Sequence, residues 1–224
     1  MLLDVLRGGS FHWTNVLVSV VSSLIVIFLC LPFHEFAHAF IADKLGDRTA
    51  KYHGRLTLNP LAHIDYFGAL LIILVGFGYA KAVPVNPYNF NRPKRDIALV
   101  SLAGPLSNIV MALVLLIITN IIYLFDITTV TYIIANVLYY AALINTSLAV
   151  FNLIPIPPLD GSKILMAVLP DRLYYSFQRY ESYLHYALIA LVVFRALDVP
   201  ISYAVSGIMT GLQTVANLPF MLFI

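Results

Sequence analysis

The chain has 224 residues, 61% hydrophobic and only 11% charged, with a mean hydropathy of +0.89. Soluble globular domains carry about 45–50% apolar and about 25% charged residues, so the composition excludes an ordinary soluble enzyme and points to an α-helical integral membrane protein. The formal net charge of +2 comes from cations set beside apolar runs, which read as membrane topology signals rather than a nucleic-acid-binding face.

A helix spans a bilayer with about 20 apolar residues. Val16–Ala42 is the first such run. It has no small-x-small cleavage site and is too long for a signal h-region, so it is expected to be a retained span. Its one cysteine, Cys30, excludes an internal disulfide. The stretch "RTAKYHGRLTLNP" (Arg48–Pro60) alternates in places and predicts a short strand ended by Asn59-Pro60. Phe67–Tyr79, "FGALLIILVGFGY", is only 13 residues, a length that fits a re-entrant segment better than a span. Lys81–Pro93 carries prolines that limit it to an edge strand or an extended loop. Four more runs follow: Ile97–Phe125, Thr131–Ile154, Tyr183–Leu197 and Ile201–Phe223. The expected fold is therefore about five to six transmembrane helices, with a short re-entrant segment and small β-strands between the first two long spans. A single domain over residues 1–224 is expected, with its core at 16–169 and additional C-terminal helices at about 183–223.

The Lys/Arg distribution orients it. Basic residues follow the first span (Lys44, Arg48, Lys51, Arg55), the short segment (Lys81, Arg92, Lys94, Arg95) and the third long span (Lys163, Arg172, Arg179), whereas the turns at Asp126–Val130 and Asp198–Pro200 have none. If Phe67–Tyr79 dips in and returns, every basic loop is cytoplasmic, as the positive-inside rule prefers. That predicts an external N-terminus, five long spans and a cytoplasmic C-terminus.

Two constellations carry chemistry. His34-Glu35-Phe36-Ala37-His38 is H-E-x-x-H. On a helix the two histidines share a face and reach one tetrahedral metal, with the glutamate placed to take a proton from water there. The bland alternative, histidines bonding between helices, leaves three costly polar groups in a span, where ionisable residues mark function by default. At about 1.5 Å per residue, His34 lies roughly 27 Å along a helix begun at Val16, about two turns from its cytoplasmic end. The second constellation is "FNLIPIPPLDGSKIL" (Phe151–Leu165), where Pro155, Pro157 and Pro158 break the span. Asp160 follows, with Gly161 as a turn and Ser162 as a cap for a helix over Lys163–Leu169. Asp160 has two readings, a third metal ligand and a turn or cap residue. Its position at the same end and depth as His34 and His38 favours the ligand.

"HEFAH" together with "NLIPIPPLDG" (Asn152–Gly161) resembles the site-2 protease family of intramembrane zinc metalloproteases, whose pattern is H-E-x-x-H on one transmembrane helix and N-x-x-P-x-x-x-L-D-G on another. Every fixed position of both is present. "GRLTLNPLAHID" and "AGPLSN" also look like compact members of the family. The resemblance implies one Zn2+ per chain held by His34, His38 and Asp160, with Glu35 as catalytic base. It also implies a role for Asn152 in holding substrate, and a β-region that pairs with it. Its substrate would be a transmembrane protein, with no nucleic acid partner, and the enzyme would be a multi-pass protein of the plasma membrane with its site near the cytoplasmic side. No PDZ or CBS module is legible. An edge strand at Arg48–Leu58 or Val83–Val85 would hold an unwound substrate by β-augmentation.

Three weaker positions remain. Gly104, Asn108 and Ala112 follow i, i+4, i+8 spacing, a close-packing face on which Asn108 is either a packing residue or a polar group of the site. His63 has two readings, substrate orientation and a loop hydrogen bond. His12, His53 and His185 read as interfacial or structural. The rival from another class is a zinc transporter or a non-proteolytic metal-binding membrane protein. A transporter needs further acidic or histidine ligands along a path, and the long spans offer almost none. A CAAX-type membrane protease needs a glutamate as third ligand, and Glu181, the only other glutamate, lies in a basic interfacial loop.

Overall fold

The computed structural model describes residues 13–75, 78, 80–125, 128–170, 173, 177 and 179–220. Among the described residues every regular element is helical. The first helix, α1, runs over Trp13–Lys44. Pro32 lacks an N–H, and its ring would press on the carbonyl of Phe28 one turn back. The helix widens just before it into a π-turn at Val26–Cys30, closed by the Leu31 N–H donating to the Val26 carbonyl. Ordinary α-helix then resumes and turns His34, Glu35 and His38 inward.

Short elements follow: α2 (Thr49–Tyr52), α3 (Pro60–His63), α4 (Tyr66–Val75) and a 3-10 turn at Pro87–Asn89. Two long helices, α5 (Pro93–Ile122) and α6 (Thr129–Asn152), complete the bundle. A capping box fixes the start of α6: Thr128 Oγ accepts from the Thr131 N–H, and the Thr128 N–H donates to Thr131 Oγ. Beyond the proline break lie α7 (Asp160–Val168), α8 (Glu181–Val193) and α9 (Asp198–Asn217).

The central helix is α5, which packs against α1, α6, α7 and α9. Its outward stripe is apolar (Leu106, Val110, Val114, Ile118, Ile121), while its buried face mixes small and polar residues (Ser101, Gly104, Asn108, Ala112, Thr119) with Val100, Leu115 and Leu116. That is the distribution lipid demands: with no hydrophobic drive between helices, small residues allow close approach and polar groups bond across. Ala112, Ala141 and Ala142 are fully buried at the meeting of α5 and α6. Ser22 Oγ lies 2.8 Å from the Val137 carbonyl, and Asn145 Nδ2 donates to the Asn108 carbonyl at 2.7 Å.

Two expectations are corrected. Among the described residues there are no β-strands. Over Arg48–Pro60 the alternation is coincidental, because Asp47 accepts the Thr49 N–H and nucleates a helical turn. Backbone bonds there run locally, from Tyr52 N–H to Arg48 and from Arg55 N–H to Ala50, and Gly54 takes φ +67° to leave the turn. Over Lys81–Pro93 residues 81–86 form no regular element and Pro87–Asn89 is a 3-10 turn, and Pro84 and Pro87 offer no N–H. The N–H groups of Val83 and Asn86 go to carboxylates instead of a neighbouring strand. The β-augmentation edge therefore falls away.

The count of five to six transmembrane helices is also too high. Among the described residues three helices are long and apolar enough to cross a membrane: Trp13–Lys44, Pro93–Ile122 and Thr129–Asn152. Where spans were expected at Tyr183–Leu197 and Ile201–Phe223, the described helices Glu181–Val193 and Asp198–Phe220 form one pair bent by 82°, which makes at most a fourth. With 13 residues, α8 reaches only about 20 Å. The sequence of α9 is diluted by Ser202, Ser206, Thr210, Gln213 and Asn217. The expected re-entrant segment is the ten-residue helix α4; its residues 76, 77 and 79 lie outside the described residues, as do His12 and residues 221–223.

Ala141→Leu, which forces three extra carbons into the α5–α6 contact, should destabilise the protein by about 1–3 kcal/mol in a detergent unfolding titration. The lipid-facing change Val114→Leu should stay within about 0.5 kcal/mol.

Candidate metal centre

The end of α1, the first third of α5 and the start of α7 meet at one end of the bundle, and His34, His38 and Asp160 converge there. The Nε2 atoms of His34 and His38 are 3.0 Å apart, and Asp160 Oδ2 lies 3.5 Å from the first and 3.2 Å from the second. All three residues are more than nine-tenths buried. Ligands about 2.0–2.2 Å from a tetrahedral zinc sit roughly 3.3–3.6 Å from one another, and the three atoms lie within a few tenths of an ångström of that spacing. The protonation pattern fits too. His38 Nδ1 lies 2.7 Å from the Val100 carbonyl, an acceptor only, so Nδ1 carries the proton and Nε2 turns its lone pair to Asp160 and His34. Two imidazole nitrogens and a carboxylate form the donor set that zinc prefers in catalytic sites.

Glycine makes the convergence possible twice. A Cβ on Gly104 would lie 2.3 Å from His38 Nε2 and 2.6 Å from His34 Cε1, so only glycine lets α5 back onto the histidines. A Cβ on Gly161 would lie 2.2 Å from the Leu153 carbonyl oxygen, so only glycine lets α7 start against the end of α6. The helix begins at Asp160, earlier than the expected Lys163, and Ser162 Oγ donates to the Leu159 carbonyl at 2.7 Å. At the head of α7, Asp160 also faces that helix's positive end, and Lys163 Nζ stands 4.0 Å from its outer oxygen.

Glu35, next to His34, is buried, and its Oε2 accepts the Val83 N–H at 3.0 Å. Of the less certain positions, Asn108 lies one turn beyond Gly104, fully buried, and neither of its amide atoms has a partner among the described residues. Asn152 Nδ2 donates to the Leu148 carbonyl at 3.0 Å, within its own helix. His63 is buried in the loop with Nε2 at 2.8 Å from the Thr57 carbonyl, apart from the three converging residues. Sequence reasoning missed the Val100 carbonyl, the Val83 N–H and Asp47. Asp47 is fully buried and accepts from Thr49, Asn86 and Asn89. Burial alone would raise its pKa, but the donors of Thr49, Asn89 and Asn86 outweigh that and hold it below the ordinary carboxylate value. Its contribution to stability is thus full at neutral pH and is lost as pH falls through that depressed value. The Asp-x-Thr spacing was the legible signal.

A family model described as peptidase family M50 matches residues 118–195, a stretch that includes Asp160. YwhC of Bacillus subtilis, named a candidate zinc metalloprotease, is 37% identical over 163 residues, which is 71% of this chain and 74% of that protein. The chain belongs to peptidase family M50. Rip2 of Mycobacterium tuberculosis, with the same description, is 40% identical over 172 residues, 69% of this chain and 62% of that protein. Zinc metalloprotease MJ0392 of Methanocaldococcus jannaschii is 30% identical over 172 residues, 77% of this chain and 41% of that one. No solved structure matches. M50 is the site-2 protease family that the two motifs resemble; the protein is an intramembrane zinc metalloprotease with Zn2+ as its cofactor.

Since a real Cβ does not approach closer than 3.0 Å, Gly104→Ala must push the histidines apart. Bound zinc, measured by elemental analysis of the purified protein, should drop well below one per chain. Gly207→Ala, with nothing within 4 Å of the added carbon, should keep it.

Proposed function

We propose that His34, His38 and Asp160 hold the zinc and that Glu35 is the general base in hydrolysis of a peptide bond within a transmembrane protein substrate. The observation that carries this reading is the convergence of three buried ligand atoms, from helices 122 residues apart in sequence (His38 to Asp160), beside a buried glutamate. When bound, zinc supplies Lewis acidity that makes water nucleophilic near neutral pH and polarises the scissile carbonyl. Glu35 takes the proton from the attacking water and delivers it to the leaving amine. The Val100 carbonyl keeps His38 in the tautomer that presents Nε2, and the bundle keeps bulk water away from the reacting carbonyl.

Asn108 and Asn152 stand in supporting roles. The Asn108 amide is a buried group with hydrogen-bonding capacity to spare, which suits a substrate carbonyl or a water beside the ligands. Asn152 sits on the last turn of α6, at the lip of the proline break leading to Asp160. For His63 the bond to Thr57 supports a role in holding the loop. The whole of residues 1–224 acts as one protease domain in this reading, with α9 packed on α5 and α6. The end of the bundle bearing the site is the basic one, with Lys44, Arg48, Lys51, Lys94, Arg95 and Lys163, whereas residues 123–128 carry no Lys or Arg. By the positive-inside rule that end faces the cytoplasm, and a place in the plasma membrane is what the family resemblance implies.

Purified wild type, Glu35→Gln and Asp160→Ala, assayed for bound zinc and for cleavage of a transmembrane reporter, test the assignment. Glu35→Gln should retain zinc and lose cleavage by at least about a hundredfold. Asp160→Ala should lose both. A Glu35→Gln protein that cleaves at the wild-type rate, or an Asp160→Ala protein that keeps its zinc, would overturn the roles.

A further inference from the structure

Residues 81–86 run extended past Glu35 and are tied down along their length. The Lys81 N–H donates to the His63 carbonyl at 2.8 Å. The Arg55 guanidinium donates to the carbonyls of Lys81 and Ala82. The Val83 N–H donates to Glu35 Oε2 at 3.0 Å, and the Asn86 N–H donates to Asp47 Oδ2 at 2.7 Å. The other Asp47 oxygen accepts from the Thr49 N–H at 3.0 Å and from Asn89 Nδ2 at 2.7 Å. Phe90 closes the far end, buried with Ala42 of α1 and Val100 of α5. Asp47 is fully buried three residues past the end of α1, so it joins this strap to the helix that carries Glu35.

The local sequence explains the shape. Pro84 forces Val83 into an extended backbone and has no N–H itself. The Val83 N–H is therefore presented at a fixed point, with no amide on the following residue to compete for the carboxylate. A glutamate side chain has three rotatable bonds, and a carboxylate bonded at one oxygen keeps the other in one place. A general base works only when its oxygen is held at hydrogen-bond distance from the proton it removes.

We propose that Asp47, acting through the strap and the Val83 N–H, is a positioning residue for Glu35: it fixes the backbone donor that aims the carboxylate. The proposal rests on the reading of Glu35 as the base. The Asp47 carboxylate has to accept at both oxygens. An asparagine there would turn an NH2 toward either the Asn86 N–H or the donors of Thr49 and Asn89, and one end of the strap would come loose.

The test uses the full chain in lipid vesicles with a transmembrane reporter, comparing wild type, Val83→Pro, Asp47→Asn, the double variant and Glu35→Gln. Val83→Pro deletes the donor and keeps the extended backbone. Each single variant should lower kcat on the order of tenfold or more, with zinc still one per chain and KM within about twofold. The double variant should be no slower than the slower single one, because both act on one contact. An unchanged kcat in Val83→Pro overturns the proposal. So does faster cleavage, which would make the strap a barrier, and so do losses that multiply in the double variant. If Val83→Pro fails to hold zinc, Asp47→Asn decides alone, and loss of its zinc counts against a positioning role. Undiminished cleavage by Glu35→Gln would instead sink the base assignment, an outcome separate from any result for the strap.

Discussion

The structure depends on bringing one side-chain atom each of His34, His38 and Asp160 within 3.0–3.5 Å of one another inside a largely apolar bundle. Ionisable groups in hydrocarbon cost several kcal/mol each unless they are paired, so the convergence must be built by the rest of the fold. Each neighbouring element answers to it. α5 approaches through Gly104, where any side chain would strike the histidines. α7 approaches through Gly161, where any side chain would strike the end of α6. The Val100 carbonyl determines which His38 nitrogen carries a proton. Large apolar residues fill a separate part of the core, among them Ile72, Leu115, Leu116, Ile144 and Leu148, while small and polar residues make the contacts at the convergence.

Loop and site are coupled through backbone amides. The extended segment after α4 uses its N–H groups on two carboxylates, Glu35 and Asp47, where a strand would have used them on a neighbouring strand. This choice removes a sheet from the fold and gives the buried glutamate a donor that burial requires. The absent strand and the fixed glutamate are thus one event.

The converging triad of His34, His38 and Asp160 was legible in the sequence because its signal is compositional as well as positional. H-E-x-x-H inside an apolar run is costly without a partner for its polar groups, and a proline-broken run ending in Asp160-Gly161 brings the third converging side chain to the same end. What failed was the reading of short segments. Alternation over Arg48–Leu58 matched a strand, but the Asp47–Thr49 bond is local and favours a turn before any partner strand is found. Apolar runs at Tyr183–Leu197 and Ile201–Phe223 looked like two spans, because hydropathy does not register the bend between them. Contacts such as Val83 N–H to Glu35 cross 48 residues and involve backbone atoms, which no residue pattern encodes.

The prolines do encode part of it, read together. Pro32 lies two residues ahead of His34 and is met by the π-turn at Val26–Cys30. Pro105 follows Gly104 inside α5. Pro155, Pro157 and Pro158 end the span that leads to Asp160, and Pro84 follows the residue whose N–H reaches Glu35. Each sits within five residues of a group at the site. A proline inside a membrane helix costs a backbone hydrogen bond that lipid cannot replace. It is tolerated where neighbouring protein re-satisfies the freed group, which in this bundle is the polar end around the site. Sequence positions that look like defects in a span are therefore where the backbone departs from regular helix to aim a side chain or an amide.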